Sequence, residues 1–270
     1  ESVEKDKIPK AISTLLMAGI VSAFLGISLA NYTKDLIQDQ LYVGSYLLLS
    51  FLSFMPGVFL FFFKNVENVQ KDSLKEGNIR NLKSIVLQPR FLQAITAAAF
   101  AYAVMSFLMT ATPLSMHVME NMSLKETGLV LQFHVVAMFL PSLITGNLIK
   151  KYGHSTIIYG GVLFFFITVL LSLFEQTYLN YMLSLIFLGL GWNFLFISGT
   201  SLVVLTYNKG EKFKVQGVND LIVFSTMALA SLSAGILLNF IGWKMMNLIC
   251  IPFLILIILV SFVADKKSDT

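Results

Sequence analysis

"YLNYMLSLIFLGLGWNFLFISGTSLVVL", Tyr178–Leu205, runs for 28 residues without one charged side chain. About 20 such residues, wound as a helix, cross the roughly 30 Å hydrocarbon core of a bilayer. The stretch lacks the alternation of a barrel strand. Backbone groups in lipid must be satisfied within their own segment, so a membrane helix is the reading it dictates. Asn193 stands near its middle, beside Trp192, with Gly189, Gly191 and Gly199 around them. A buried amide needs a partner. Gly189, Ile197 and Thr200 share its face by helical spacing, while Trp192 points roughly 100° away. Asn193 therefore has two readings: a hydrogen bond across a close helix contact, or a group facing a midplane substrate site.

The same reading extends along the chain. Hydrophobic residues make up 56% of the 270 and charged residues only 13%, and mean hydropathy is +0.78, which excludes an ordinary soluble domain. Eight apolar runs are expected as spans: Ala11 to Asn31, Tyr42 to Phe63, Phe91 to Pro113, Gly128 to Lys150, Ser155 to Leu173, Tyr178 to Leu205, Val215 to Phe240 and Trp243 to Val263. The fold class is all-α, a polytopic membrane bundle.

Orientation follows from lysine and arginine, which are in excess on cytoplasmic loops. With both ends of the chain cytoplasmic, the inner segments hold 16 of the 19 basic residues, and the outer ones hold Lys34, Lys125 and Lys244. The basic pI of about 9.0 is thus spread over one membrane face and implies a lipid bilayer, not nucleic acid, as partner. The single Cys250 has no partner for a disulfide, and no cofactor or metal is implied. The chain opens on Glu1 with a charged stretch leading straight into a span, which reads as a fragment lacking its N-terminal part.

Lys64 to Arg90 is the longest polar interval, and it separates residues 1–63 from residues 91–270. Its apolar positions Leu74, Ile79, Leu82, Ile85 and Val86 suggest an amphipathic linker on the membrane surface, and Pro89 suits the first position of the next helix. An internal echo follows. "GNLIKKYG", Gly146–Gly153, and "GILLNFIG", Gly235–Gly242, close spans three helices apart on opposite faces, as inverted three-helix units require.

"GNLIKKYGHSTI" resembles the loop motif G-x-L-a-D-r-x-G-r-k of the major facilitator superfamily at Gly146, Leu148, Lys151 and Gly153, with Lys150 where the family has an acid. "MTATPLSM" from Met109, "QFHVVAMFLPS" from Gln132, "GLGWNFLFISGT" from Gly189 and "KVQGVNDLIVF" from Lys214 are similar to one group of bacterial permeases in that superfamily. The resemblance implies twelve helices in two halves, of which this chain holds helices five to twelve. Residues 1–63 are then the last two helices of the N-terminal half, residues 64–90 the linker and residues 91–270 the C-terminal half. It also implies a secondary transporter that moves a small solute across the bacterial inner membrane by alternating access, as a monomer, with a proton or ion as the candidate coupling partner. The fifth-helix glycine-proline motif of antiporters is absent, Gly26 being followed by Ile27.

No carboxylate lies mid-membrane; the deepest is Asp220, near the start of the seventh span. His134 is the well-buried titratable group, with Met138, Pro141 and Thr145 on its side. It reads equally as a substrate ligand or proton relay and as a histidine bonded to a neighbouring helix. Ala98, Tyr102, Ser106 and Thr110 recur every fourth residue on the third span, and Thr112 follows before Pro113, where the helix is expected to break. Gln216, Asn219, Val223, Thr226, Ala230 and Ser233 form a polar and small stripe on the seventh. The candidate pathway residues are His134, Asn193, Tyr102, Thr110, Thr112, Asn219 and Gln216. Asp220, with Lys212 or Lys214 as partner, joins Gly146, Gly153, Lys151, Pro141 and Trp192 as gating or structural candidates. An intramembrane enzyme is disfavoured, because H-E-x-x-H, G-x-S-x-G and a buried aspartate pair are all missing. A channel or membrane scaffold is the alternative.

Overall fold

The computed structural model describes residues 8–37, 40, 42–62 and 80–268, which divide into two compact units, Glu1–Lys75 and Glu76–Thr270. The described elements are helical. Most of the expected linker, its residues 64–79, lies outside the described residues.

Unit 1 is a pair of helices, α1 (Ile8–Thr33) and α2 (Val43–Leu60). They meet at Gly44, where a Cβ would collide with the Thr33 carbonyl oxygen. Beside it the Ser45 hydroxyl donates to the Ala30 carbonyl at 2.7 Å. The outer faces are apolar and exposed, as lipid contact requires.

Unit 2 begins with the short α3 (Leu82–Val86) and continues through α4 (Pro89–Pro113), α5 (Leu124–Phe139), α6 (Ser142–Tyr152), α7 (His154–Ser172), α8 (Tyr178–Val204), α9 (Lys212–Ile249) and α10 (Ile251–Ser268). Pro89 occupies the first turn of α4, where its missing N–H is no loss. Six described stretches are long and apolar enough to cross a membrane. The last, Lys212–Lys267, is 56 residues long and carries two expected spans, because Gly242 breaks it with φ 73°, ψ 171°.

Three local expectations are corrected. The α-helix ends at Pro113, but the chain does not break away there: it runs on as a π-helical turn, Leu114–Met119, whose wider register closes with the Glu120 N–H donating to the Ser115 carbonyl at 3.0 Å. The fourth span is not one helix from Gly128 to Lys150. It starts at Leu124, capped by a Ser123–Glu126 box. It then breaks at Leu140–Pro141, where the proline has no N–H to continue the ladder. Asp220 makes no ion pair with Lys212 or Lys214 among the described residues and accepts instead from Asn219 at 3.0 Å. The lysines lie six and eight residues back, on another face or about 12 Å down the axis.

The two echo motifs end alike. Gly153 has φ 83°, ψ 161°, close to Gly242, and both angles fall in a region essentially reserved for glycine. Each second glycine is a corner between one helix and the next.

Helix α8 is the hub of unit 2, and its glycines make it so. A Cβ at Gly189 would lie 2.6 Å from the His134 carbonyl oxygen of α5; at Gly199 it would lie 2.7 Å from the Ala94 carbonyl oxygen of α4. Gly191 faces Gly161 of α7, each added Cβ meeting the other's carbonyl oxygen at 3.0 Å. Three backbones thus approach one helix more closely than side chains would allow, the usual basis of packing in lipid.

Candidate functional site

Trp192 is the centre of an aromatic cluster. It stacks on Phe196 of its own helix, 4.9 Å between centroids and 16° from parallel. Tyr102 of α4 meets Trp192 edge-on at 5.2 Å and Phe196 edge-on at 4.8 Å. Phe139, at the end of α5, and Phe224 of α9 complete the ring, 6.1 Å from Trp192 and from Tyr102 respectively. Trp192 is buried and its indole N–H has no hydrogen-bond partner among the described residues, whereas Tyr102 and Phe196 are half-buried and Phe224 is exposed. The four helices therefore present aromatic faces backed by an unspent donor. Aromatic rings prefer such edge and offset contacts, and a planar ligand adds one more.

Next to Trp192 on α8 but on another face, Asn193 is fully buried and spans the break in the fourth span. Its Nδ2 donates to the Met138 carbonyl of α5 at 2.6 Å and to Ser142 Oγ of α6 at 2.5 Å. Its Oδ1 accepts from Thr145 Oγ1 at 2.6 Å, and that hydroxyl also lies 2.8 Å from the Pro141 carbonyl. His134 is likewise fully buried. Its Nδ1 donates to the Leu185 carbonyl at 2.7 Å, which leaves Nε2 as an acceptor without a partner among the described residues. Two α5–α8 bonds thus bracket Gly189, one turn on either side.

The other expected residues are spread along the bundle. Thr110 is exposed and 3.0 Å from Ser231 Oγ of α9, whereas Thr112 is buried and donates back to the Leu108 carbonyl at 2.8 Å. Gln216 donates to Tyr207 Oη at 2.7 Å, near the lysine-rich end of unit 2. Asn219 is buried, and its Oδ1 has no partner among the described residues. The stripe on α9 packs against α4, Val223 joining Ala98 and Ala99 in one buried cluster. Gly146 faces open space, and Lys151 lies 4.9 Å above the Tyr152 ring.

Two charged networks at the lysine-rich end were not anticipated. Arg80 grips Glu211 through its backbone N–H at 2.8 Å, Nε at 2.9 Å and Nη2 at 2.6 Å, and also donates to the Thr206 carbonyl. The Glu211 side chain is 2% exposed. The Arg80 bonds, followed by the Asn208 N–H, hold its carboxyl at about 2, well below the usual carboxylate range. Ile85 of α3 is buried beside them with Phe91, Leu202 and Val215. In the second network Asp265 of α10 accepts from Arg90 at 2.7 Å, Ser155 at 2.5 Å and Tyr159 at 3.1 Å, which joins α4, α7 and α10. Asn208-Lys209-Gly210-Glu211 is a capping-box pattern visible in the sequence, but its arginine lies 131 residues away.

Unit 2 is thus an apolar helical bundle with an aromatic cluster, a broken span and charged networks at one end. The family model of the Major Facilitator Superfamily matches residues 1–225 and 114–270, and the chain belongs to that superfamily. It is therefore a multi-pass membrane protein of a transporter family rather than of an enzyme family. Over 254 residues it is 36% identical to the riboflavin transporter RfnT of Brucella anthropi, covering 94% of this chain and 63% of the relative. The uncharacterized MFS-type transporter YdeG of Bacillus subtilis is 25% identical over 253 residues, 88% of this chain and 59% of YdeG. A crystal structure of a bacterial homologue of the iron transporter ferroportin, in an outward-facing state, shares the fold with TM-score 0.66 at 17% identity, over 98% of this chain and 66% of that one. The chain thus spans about three-fifths of the length of the curated relatives it matches.

Proposed function

We propose that this chain is part of a secondary active transporter that moves a planar heteroaromatic solute of the flavin type across the plasma membrane by alternating access. The aromatic cluster carries the reading: Tyr102, Phe196 and Phe224 offer ring faces at the height of Trp192, whose indole N–H, without a partner among the described residues, can serve a ring acceptor once the cluster opens. Likeness to a riboflavin transporter supports that class of substrate. On this reading residues 1–63 close the N-terminal half, residues 64–90 are the cytoplasmic linker and residues 91–270 form the C-terminal half. The lysine-rich end faces the cytoplasm, by the positive-inside asymmetry. His134 and Asn193 then serve the pathway by fixing α5 and α6 on α8.

The test is uptake of radiolabelled riboflavin by cells or proteoliposomes carrying the full-length protein. Tyr102→Ala and Phe196→Ala should each lower uptake about two- to twelvefold, as loss of ring contacts worth roughly 0.5–1.5 kcal/mol predicts, with membrane abundance unchanged. Saturable uptake that is indifferent to both substitutions removes the cluster from the pathway, and absence of riboflavin competition removes the substrate class.

A further inference from the structure

We propose that α6 is a gate at the lysine-rich end of unit 2, hinged at Leu140–Pro141 and at Gly153 and latched to α8 by Asn193. The proposal extends the alternating-access reading by assigning the moving part. Three independent observations carry it.

First, both ends of α6 are joints. At one end Pro141 interrupts the ladder. The Met138 carbonyl, which the Ser142 N–H would take in a continuous helix, accepts from the Asn193 side chain instead. At the other end Gly153, φ 83°, turns the chain into α7, and no atom lies within 4 Å of where its Cβ would be. Second, α6 is weakly held within unit 2. Seven of its eleven residues are exposed, and only Thr145 and Ile149 are buried. Third, of those two, Thr145 is bonded to Asn193, so one side chain on α8 supplies polar contacts to both sides of the break. By contrast α5 is anchored by the Gly189 contact and by the His134–Leu185 bond. The α5–α8 pair is the fixed post and α6 the swinging leaf. A hinge needs an interrupted ladder, few buried contacts and a discrete tie, and α6 has all three.

Opening is read by thiol labelling, peptide by peptide in mass spectrometry, on the full-length protein in membranes. Ile149→Cys reports the buried face of α6. Val130→Cys, 0% exposed on α5, reports the post, and the native Cys250, 2% exposed, reports general unfolding. Asn193→Leu should speed labelling at position 149 by about tenfold, since each of its two bonds to α6 is worth roughly a factor of three, and leave positions 130 and 250 unchanged. Ser142→Ala should give a smaller rise. Pro141→Ala, which restores the ladder, should slow labelling at position 149 below the unsubstituted rate, a change that a merely structural role for Asn193 does not produce. Equal acceleration at positions 149 and 130, or no acceleration at all, overturns the proposal. Where Asn193→Leu also exposes Cys250, the proline variant decides: a slower rate supports the gate and an unchanged rate refutes it. Labelling needs no substrate, so failed riboflavin uptake with this pattern intact removes the substrate class and leaves the gate.

Discussion

Gly189→Ala is the smallest change that strikes the hub. The added methyl carbon would sit 2.6 Å from the His134 carbonyl oxygen, 2.9 Å from Ala137 Cβ and 3.0 Å from the Met138 nitrogen. Two of these atoms are helix backbone and cannot rotate aside, so α5 and α8 must separate by roughly 0.6–0.8 Å to reach ordinary contact. The bonds that bracket the glycine, His134 to Leu185 at 2.7 Å and Asn193 to Met138 at 2.6 Å, would then stretch past good geometry. Overpacking costs about 1–3 kcal/mol and two weakened interhelical bonds about another 1–2, giving a loss on the order of 2–5 kcal/mol. In thermal unfolding in detergent this is a fall on the order of 5–15 °C. Gly217→Ala is the matched control: it too lies within a helix, but its Cβ would meet nothing within 4 Å. There the gain in helix propensity should leave the protein as stable or more stable by about 0.5–1 kcal/mol. Equal midpoints for the two variants would refute the claim that α8 is seated by backbone approach at Gly189.

Two further outcomes concern the lysine-rich end. The Glu211 carboxyl is held at about 2 by Arg80 and the Asn208 N–H. Its folded value is thus depressed, and the stability it contributes is complete above the unfolded carboxylate range near 4.3–4.5 and lost as pH falls from there toward 2. Thermal midpoints at pH 6 and pH 3 should differ less in Glu211→Gln than in the unsubstituted protein; an equal difference would separate the carboxylate from the acid response. Arg90→Ala should loosen the junction of α4, α7 and α10 by removing the charged donor to Asp265, and Asp265→Asn should do so less. Hydrogen exchange at the start of α7 checks the order, and identical protection in both variants would contradict it.

How much of this was legible in the sequence depends on the range of each cause. The membrane helices were legible because apolar run length is a local property and lipid leaves the backbone no alternative. Pro89 as a helix opener and the paired Gly153 and Gly242 corners were legible because a missing N–H and a missing Cβ act at the residue itself. The Ser123–Glu126 box was equally local, and S-x-x-E would have moved the start of the fourth span from Gly128 back to Leu124. Pro113 and Pro141 show where local reading stops. Each removes one N–H, but the first is absorbed by a π turn that re-routes the ladder and the second opens a joint. The difference lies in the neighbours. Beside Pro141 the Asn193 amide takes the Met138 carbonyl that the Ser142 N–H leaves open, so the break is stabilised where it falls. The sequence shows Asn193, Ser142, Thr145 and Gly189 as separate small or polar residues in greasy helices. Only when Gly189 brings α8 against α5 do they become one tie, and that closeness is also why the greasy span at Tyr178–Leu205 can bury an amide.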